Sequence, residues 1–268
     1  MATWRELIAS SALPRGEARW LAAHAAGRDV AWLIAHDTDE VDATVLAGVR
    51  DCLSRRQGGE PVAYITGERE FYGLSLAVTP DVLIPRPETE LLVELALERL
   101  PRAGRLLDVG TGSGAVAIAI AHQRPDAEVV ACDISVAALA VAQANARRHG
   151  VKVQLLESDC MAAFDGRRFD VIASNPPYIA AGDPHLCQGD LRFEPSIALH
   201  CGPDGMTLIR RLAAQGIGYL ESGGWLLFEH GYDQGEACVA LLSSSGYFAV
   251  SDRPDLAGIG RVCLGRKP

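Results

Sequence analysis

From residue 105 onward, short runs rich in apolar residues alternate with longer stretches in which apolar positions recur every three or four residues. The runs 105–109, 127–132, 151–156 and 169–173 read as strands, being short and mostly apolar. The periodic stretches 115–122, 136–149, 206–220 and 236–242 read as helices, with a further strand at 225–229. Short runs at 247–250 and 262–264 read as antiparallel edge strands. Such alternation predicts a parallel sheet with helices on both faces, which binds ligands at the carboxyl ends of its strands.

The first 60 residues carry the helical period instead. Trp4, Leu7 and Ile8 share a face, Pro14 and Gly16 interrupt it, and a second helix follows over 17–26 with Trp20, Leu21 and His24 together. Gly27 ends that helix, and a third runs over 30–36. Asp39 is placed to cap a fourth through Leu46, Val49 and Leu53, stopped by Gly58-Gly59. Trp4, Trp20 and Trp32 are expected in the core, and His24 as a packed histidine. Ala63-Tyr64-Ile65-Thr66 and 71–79 have strand composition around Gly67 and Gly73, which predicts a hairpin. The predicted organisation is a helical domain over 1–60, a β-hairpin linker over 61–84 and an α/β domain over 85–268. A helix opens near Pro87, which suits a first turn, and Glu88 and Glu90 suit its positive end. Arg86 is placed either to pair with one of these glutamates or to act near a substrate.

Composition narrows the function. Of 268 residues, 49% are hydrophobic and 22% charged, enough to bury a sizeable core. A formal net charge of −9 argues against a chain that wraps phosphate backbones, so no direct nucleic-acid partner is expected. Seven cysteines lie scattered at 52, 132, 160, 187, 201, 238 and 263, without C-x-x-C or zinc spacing. Reduced thiols, a cytoplasmic location and no metal are the expectation. Neither a signal peptide's apolar core nor a run long enough to span a bilayer is present, and nothing points to an obligate assembly, so a monomer is expected.

The chemistry gathers at strand ends. Asp108-Val109-Gly110-Thr111-Gly112-Ser113-Gly114 lies where a strand turns into a helix, and glycines there let the backbone approach a ligand. Its third glycine comes one residue too early for the dinucleotide fingerprint. Asp133 ends the next strand, placed to bind both ribose hydroxyls and to disfavour a phosphorylated ribose. Ser158-Asp159-Cys160 ends the third, within reach of an adenine edge, and Asn175 ends the fourth. Candidate cofactor-binding residues are thus Gly110, Thr111, Gly112, Ser113, Gly114, Asp133, Asp159, Cys160 and Asn175. After Asn175 come Pro176, Pro177 and Tyr178. Two prolines fix the backbone and remove donors, leaving the carbonyls of Asn175 and Pro176 without ladder partners beside the Asn175 amide oxygen. Acceptors held so rigidly suit the gripping of a planar NH2 group by its two hydrogens. The plain alternative is a strand-terminating turn.

The glycine turn, the acid after the second strand and Asn175-Pro176-Pro177-Tyr178 together resemble an S-adenosylmethionine-dependent methyltransferase of the seven-stranded, Rossmann-like class, a member that methylates planar NH2 nitrogens. Val82-Leu83-Ile84-Pro85-Arg86-Pro87-Glu88-Thr89-Glu90, Phe193-Glu194-Pro195 and Gly202-Pro203-Asp204-Gly205 follow the order of one family, the glutamine N5-methyltransferases of peptide chain release factors. The resemblance covers nearly the whole chain. It implies a methyl donor, S-adenosylmethionine, a product, S-adenosylhomocysteine, and class 1 release factors as protein substrates, methylated on the glutamine of a Gly-Gly-Gln loop. It also implies a role in catalysis for Asn175, Pro176, Pro177 and Tyr178, with Asn175 and the Pro176 carbonyl holding the amide and Tyr178 packed on its plane. Cys160 departs from the family, which often has an aromatic residue there against the adenine. Sulfur can pack against a ring as well. Three other readings stand beside this one: a ribosomal-protein glutamine methyltransferase, a nucleic-acid amino methyltransferase, and a non-catalytic S-adenosylmethionine-binding subunit.

Overall fold

In the computed structural model, which describes residues 2–268, the apolar runs from residue 105 onward join one seven-stranded sheet. The described chain falls into two compact units. One takes the chain up to Glu68 together with Cys187–Phe193, and the other takes Arg69–Leu186 and Glu194–Pro268.

The first unit is helical, with α1 (Trp4–Ala9), α2 (Arg15–Ala25), α3 (Val30–Ala35), α4 (Ala43–Gln57) and α5 (Val62–Thr66). Thr3 and Glu6 close a capping box on α1, and Asp29 caps α3. Asp42, rather than Asp39, caps α4, its carboxylate accepting from the Thr44 amide at 2.8 Å. The strand expected over 63–66 is helix α5. Pro61 starts it, Gly67 stops it in the left-handed region at φ 73°, and Ala63, Tyr64 and Ile65 are buried. β-Branched and aromatic composition favours a strand only where a partner strand exists, and here the packing of one apolar face decides. Trp4 is buried, but Trp20 is 44% exposed and His24 is exposed, against the expectation for both.

A short hairpin, β1 (Glu68–Phe71) and β2 (Leu74–Ala77), turns at Tyr72-Gly73 and belongs to the second unit from Arg69 on. After a 3-10 turn over Pro87–Thr89 come α6 (Glu90–Arg99), β3 (Arg105–Val109), α7 (Ala115–Gln123), β4 (Glu128–Asp133), α8 (Val136–Arg148), β5 (Gln154–Glu157) and β6 (Phe169–Ser174). The short α9 (Ser196–Leu199), then α10 (Thr207–Tyr219), β7 (Leu220–Glu229), α11 (Gly235–Ser244), β8 (Phe248–Pro254) and β9 (Gly260–Arg266) complete it. Strand order is β5-β4-β3-β6-β7-β9-β8. The pairs from β5 through β7 are parallel, and β9 pairs antiparallel with both β7 and β8.

Each face of the sheet carries its own core. Leu106, Val171 and Leu227 pack with Leu92 of α6 and Ile118 of α7 on one side. Leu107, Ile172 and Phe228 pack with Ile209 and Leu212 of α10 on the other. Helix α7 is buried from Ala115 to Ala121 without a break, which explains its nearly all-apolar sequence. The chain runs outward from β3 through β4 to β5, then returns to place β6 on the opposite side of β3. That reversal opens a crevice at the carboxyl ends of β3 and β6, where ligands bind in such sheets.

Candidate active site

The turn after β3 is folded against β4. Gly110 and Thr111 amides both donate to the Cys132 carbonyl, at 2.8 and 2.9 Å. Gly112 adopts φ 54°, and a Cβ built on it meets nothing within 4 Å, so the backbone lies open to the crevice. Gly114, at φ 85°, is closed in: a Cβ there would lie 2.7 Å from Ile118 Cδ1 and 3.2 Å from Ala142 Cβ. It serves the contact of α7 with α8 and does not line the crevice. Asn145, fully buried on α8, donates to the carbonyls of Ser113 and Ala77 and accepts from the Ala77 amide, tying β2 to the glycine turn.

Two carboxylates flank this turn. Asp133 accepts from the amides of Gly112 and Ser135, both at 2.9 Å, which fixes its orientation. Asp108 is 1% exposed and accepts from Thr111 Oγ1 at 2.6 Å and from the Ala117 amide at 3.2 Å. Burial outweighs those bonds and pushes its carboxyl up to about 7. On the next strand end, Asp159 pairs with Arg211 Nη1 at 2.8 Å, a partner 52 residues away that spacing did not reveal. Cys160 is buried at φ 55°, an unusual conformation for a residue with a side chain, and its carbonyl accepts from Cys132 Sγ at 3.3 Å.

After β6, Ser174 Oγ donates to the Val109 carbonyl at 2.7 Å, joining this strand end to the glycine turn. Asn175 Nδ2 donates to Thr89 Oγ1 at 3.0 Å, and Thr89 Oγ1 donates to Glu229 Oε2 at 2.6 Å. Tyr178 donates its hydroxyl to Glu229 Oε1 at 3.0 Å. Burial raises the Glu229 carboxyl against the opposing pull of these two hydroxyls, and burial together with Glu229 raises the Tyr178 phenol. Gln234 Nε2 donates to the Tyr178 carbonyl at 3.0 Å. Among the described residues no donor reaches the Pro176 carbonyl. Arg86 pairs with the buried Glu194, which also accepts from the Ile84 amide at 3.0 Å. Of the two readings of Arg86, the ion pair forms with Glu194 rather than with Glu88 or Glu90, and Glu90 accepts from the Tyr72 amide at 2.9 Å.

A cavity of about 250 Å³ gathers Gly110, Thr111, Gly112, Ser113, Asp133, Asp159, Cys160, Asn175 and Pro177. Gly114, Pro176 and Tyr178 sit beside its lining rather than in it. Asp108, Thr89 and Arg211 also line it and were missed as site residues. The visible sign for Glu229 was a carboxylate closing the apolar run 225–229, and for Thr89 its place in a motif already singled out. No group of ligands that could hold a metal ion occurs among the described residues.

The donor set suits S-adenosylmethionine. An open glycine turn, a braced carboxylate at the second strand and a third strand end with an acid lie on one rim, beside Asn175 at the end of the fourth. The family model described as PrmC N-terminal domain matches residues 2–67, and that described as Methyltransferase small domain matches residues 87–188. The release factor glutamine methyltransferase of Bordetella pertussis is 52% identical over 268 residues, 99% of each chain. That of Escherichia coli is 44% identical over 261 residues, 97% of this chain and 94% of its own. Among solved structures, a methyltransferase from Pyrococcus furiosus aligns with TM-score 0.56 at 20% identity, over 81% of this chain and 98% of that one. A T. thermophilus 16S rRNA methyltransferase in complex with AdoMet and guanosine gives TM-score 0.56 at 22% identity, over 75% of this chain and 50% of its own. These two likenesses show the fold. Sheet order, glycine turn and relatives together define an S-adenosylmethionine-dependent methyltransferase. Within that class the chain belongs to the release factor glutamine methyltransferase family.

Proposed function

We propose that this enzyme methylates the side-chain amide nitrogen of the glutamine in the Gly-Gly-Gln loop of class 1 peptide chain release factors. The observation that carries the reading is Asn175. It lines the cavity at the end of β6 with its Nδ2 already committed to Thr89, which leaves Oδ1 as an acceptor for an amide hydrogen. The Pro176 carbonyl takes the second hydrogen, Pro177 stiffens the turn and Tyr178 packs against the amide plane. Gly110 to Ser113, Asp133, Asp159 and Cys160 hold the cofactor, with Asp133 on the ribose hydroxyls. S-adenosylmethionine, when bound, would supply an electrophilic methyl group and leave as S-adenosylhomocysteine, the C–S bond breaking as the C–N bond forms and the methylated nitrogen giving up one proton to water.

The energetic problem is the weak nucleophile. Full loss of amide conjugation would cost about 18–20 kcal/mol, judged by the peptide rotation barrier. Two charge-assisted hydrogen bonds at about 1.5–3 kcal/mol each cannot offset that, so part of the conjugation is kept in the transition state. Orientation of well-placed reactants contributes about 7–11 kcal/mol, the larger effect. The bonds from the amide to Asn175 and Pro176 strengthen as positive charge grows on nitrogen, which is selective binding of the transition state.

The acidic balance of the chain favours a protein over a nucleic acid as the methyl acceptor. Seven free cysteines support a reducing compartment, the cytoplasm, and a monomer suffices for the site. No described helix is long and apolar enough to cross a membrane. The test is transfer of label from S-adenosylmethionine to an intact release factor, to its Gln→Ala variant at Gly-Gly-Gln, and to plain DNA and RNA. Label on the release factor alone, lost with the Gln→Ala variant and with Asn175→Ala enzyme, is the expected result. Label on nucleic acid would overturn the substrate and keep the clamp.

A further inference from the structure

We propose that Thr89 and Glu229 are positioning residues that decide which end of the Asn175 amide faces the methyl acceptor. The proposal rests on the reading of Asn175 as a clamp for an NH2 group. An asparagine amide has two ends of nearly equal shape and opposite polarity, a carbonyl that accepts and an NH2 that donates. Presented with its NH2 end, it would set donors against the donors of the incoming amide.

Direction is set at Glu229. Thr89 has one hydroxyl proton, and that proton goes to Glu229 Oε2 at 2.6 Å. Towards Asn175 the Thr89 oxygen can then only accept, and the group that donates to it is Nδ2 at 3.0 Å. Oδ1 is thereby turned away from Thr89, and it has no partner among the described residues. The other carboxylate oxygen accepts from Tyr178, so one carboxylate anchors both ends of Asn175-Pro176-Pro177-Tyr178. Thr89 is 3% exposed and Glu229 1% exposed, so the bond between them lies at the buried end of the chain, away from the cavity side of Asn175. A buried carboxylate is costly, and Glu229, at the end of β7 with Arg261 acting on it only through its charge, makes its hydrogen bonds among the described residues to the two hydroxyls, which asks for a function. Without it, the Thr89 hydroxyl could donate to Oδ1 as readily as accept from Nδ2, and Asn175 would populate both orientations.

The test compares Glu229→Gln, Thr89→Val and Thr89→Ser with the wild type in turnover, S-adenosylmethionine binding and thermal stability. Glu229→Gln offers an amide that can donate to Thr89 and reverse the chain. Thr89→Val keeps the volume and removes the hydroxyl, and it carries the test if Glu229→Gln does not fold. Both are expected to lower kcat about 10²-fold, the loss seen when one fixed polar group is removed from a reacting site. The dissociation constant for S-adenosylmethionine is expected to stay within about twofold, which separates a transition-state effect from a collapsed pocket. Thr89→Ser, which keeps the hydroxyl, is expected to recover most of the turnover. The double variant is expected to be no worse than the poorer single one, because each breaks the same chain. Wild-type turnover in Thr89→Val would overturn the proposal, as would equal losses in Thr89→Ser and Thr89→Val accompanied by loss of cofactor binding. Variants are assayed on whichever group the wild type methylates. The wild type's acceptor therefore judges the substrate, and the ratio of variant to wild type judges the positioning.

Discussion

Asp108 carries a carboxyl that is nearly sealed from solvent yet borders the cavity at the strand ends. Its value near 7 in the folded chain, against an ordinary 3.8, means that the folded state keeps a proton that the unfolded state releases. By linkage its contribution to stability is full at low pH and declines as pH rises from about 4 to about 7. S-adenosylmethionine is cationic, so its binding favours the ionised carboxyl, and affinity is expected to rise with pH through about 7. Titration calorimetry at about pH 6 and about pH 8 checks this, with Asp108→Asn expected to flatten the dependence. Asp133 is the opposite kind of acid, braced by two backbone amides beside the glycine turn. Asp133→Ala leaves the Gly112 and Ser135 amides unpaired and is expected to weaken cofactor binding by about 1–3 kcal/mol, read as a higher dissociation constant.

At the scale of elements, the turn after β6 is shaped by segments far along the chain. Ile179 forms an isolated parallel bridge with His200, its amide donating to the Leu199 carbonyl at 3.0 Å while its own carbonyl accepts from Cys201 at 3.2 Å. Gly205 passes against the same turn at φ 72°, and a Cβ on it would lie 2.0 Å from the Tyr178 carbonyl oxygen. Backbone stands on both sides of that approach, so neither can yield cheaply. Gly205→Ala is expected to displace the clamp and lower kcat about 10²-fold, the cost associated with a shift of about 1 Å at a reacting centre. Steady-state kinetics with a parallel cofactor-binding measurement checks it, binding being the property expected to change less. This explains why a glycine-bearing motif near residue 205 accompanies Asn175 to Tyr178 in the sequence.

For the whole molecule, the informative feature is a unit built from distant segments. Cys187–Phe193 belongs to the helical unit, where Asp190 pairs with Arg56 Nη1 at 2.9 Å and Arg192 Nη2 donates to the Gly58 carbonyl at 2.9 Å. Arg56 also holds Glu17 at 2.8 Å. Arg56→Ala is expected to cost about 1.5–3 kcal/mol and to open the 187–193 segment to limited proteolysis. We propose that the helical unit recognises the release factor. Deletion of residues 1–60 is then expected to raise KM for the intact factor at least about tenfold, a loss of about 1.4 kcal/mol, with transfer to a short Gly-Gly-Gln peptide unaffected. Equal KM values on the intact factor, from a truncated protein that is folded, would refute that role. The deletion also removes the partners of 187–193, so the peptide arm is the needed control.

By itself, the sequence determined the strands and helices from 105 onward, because a sheet covered by helices on both faces writes short, mostly apolar runs alternating with helical periods, a local pattern that needs no partner to be read. It also placed the glycine turn, Asp133, Asp159 and Asn175 on one rim, since each lies within three residues of the end of such a run. Local composition misread 63–66, Trp20 and His24, where burial in a small helical unit depends on neighbours that the local pattern does not contain. Arg86 with Glu194, Asp159 with Arg211, and the chain from Asn175 through Thr89 to Glu229 join residues 108, 52 and up to 140 positions apart. Hydrogen bonds are short and directional, and nothing in spacing along a chain records them. Only the tertiary structure could bring those partners within reach, and with them the orientation of the amide on which the proposed chemistry depends.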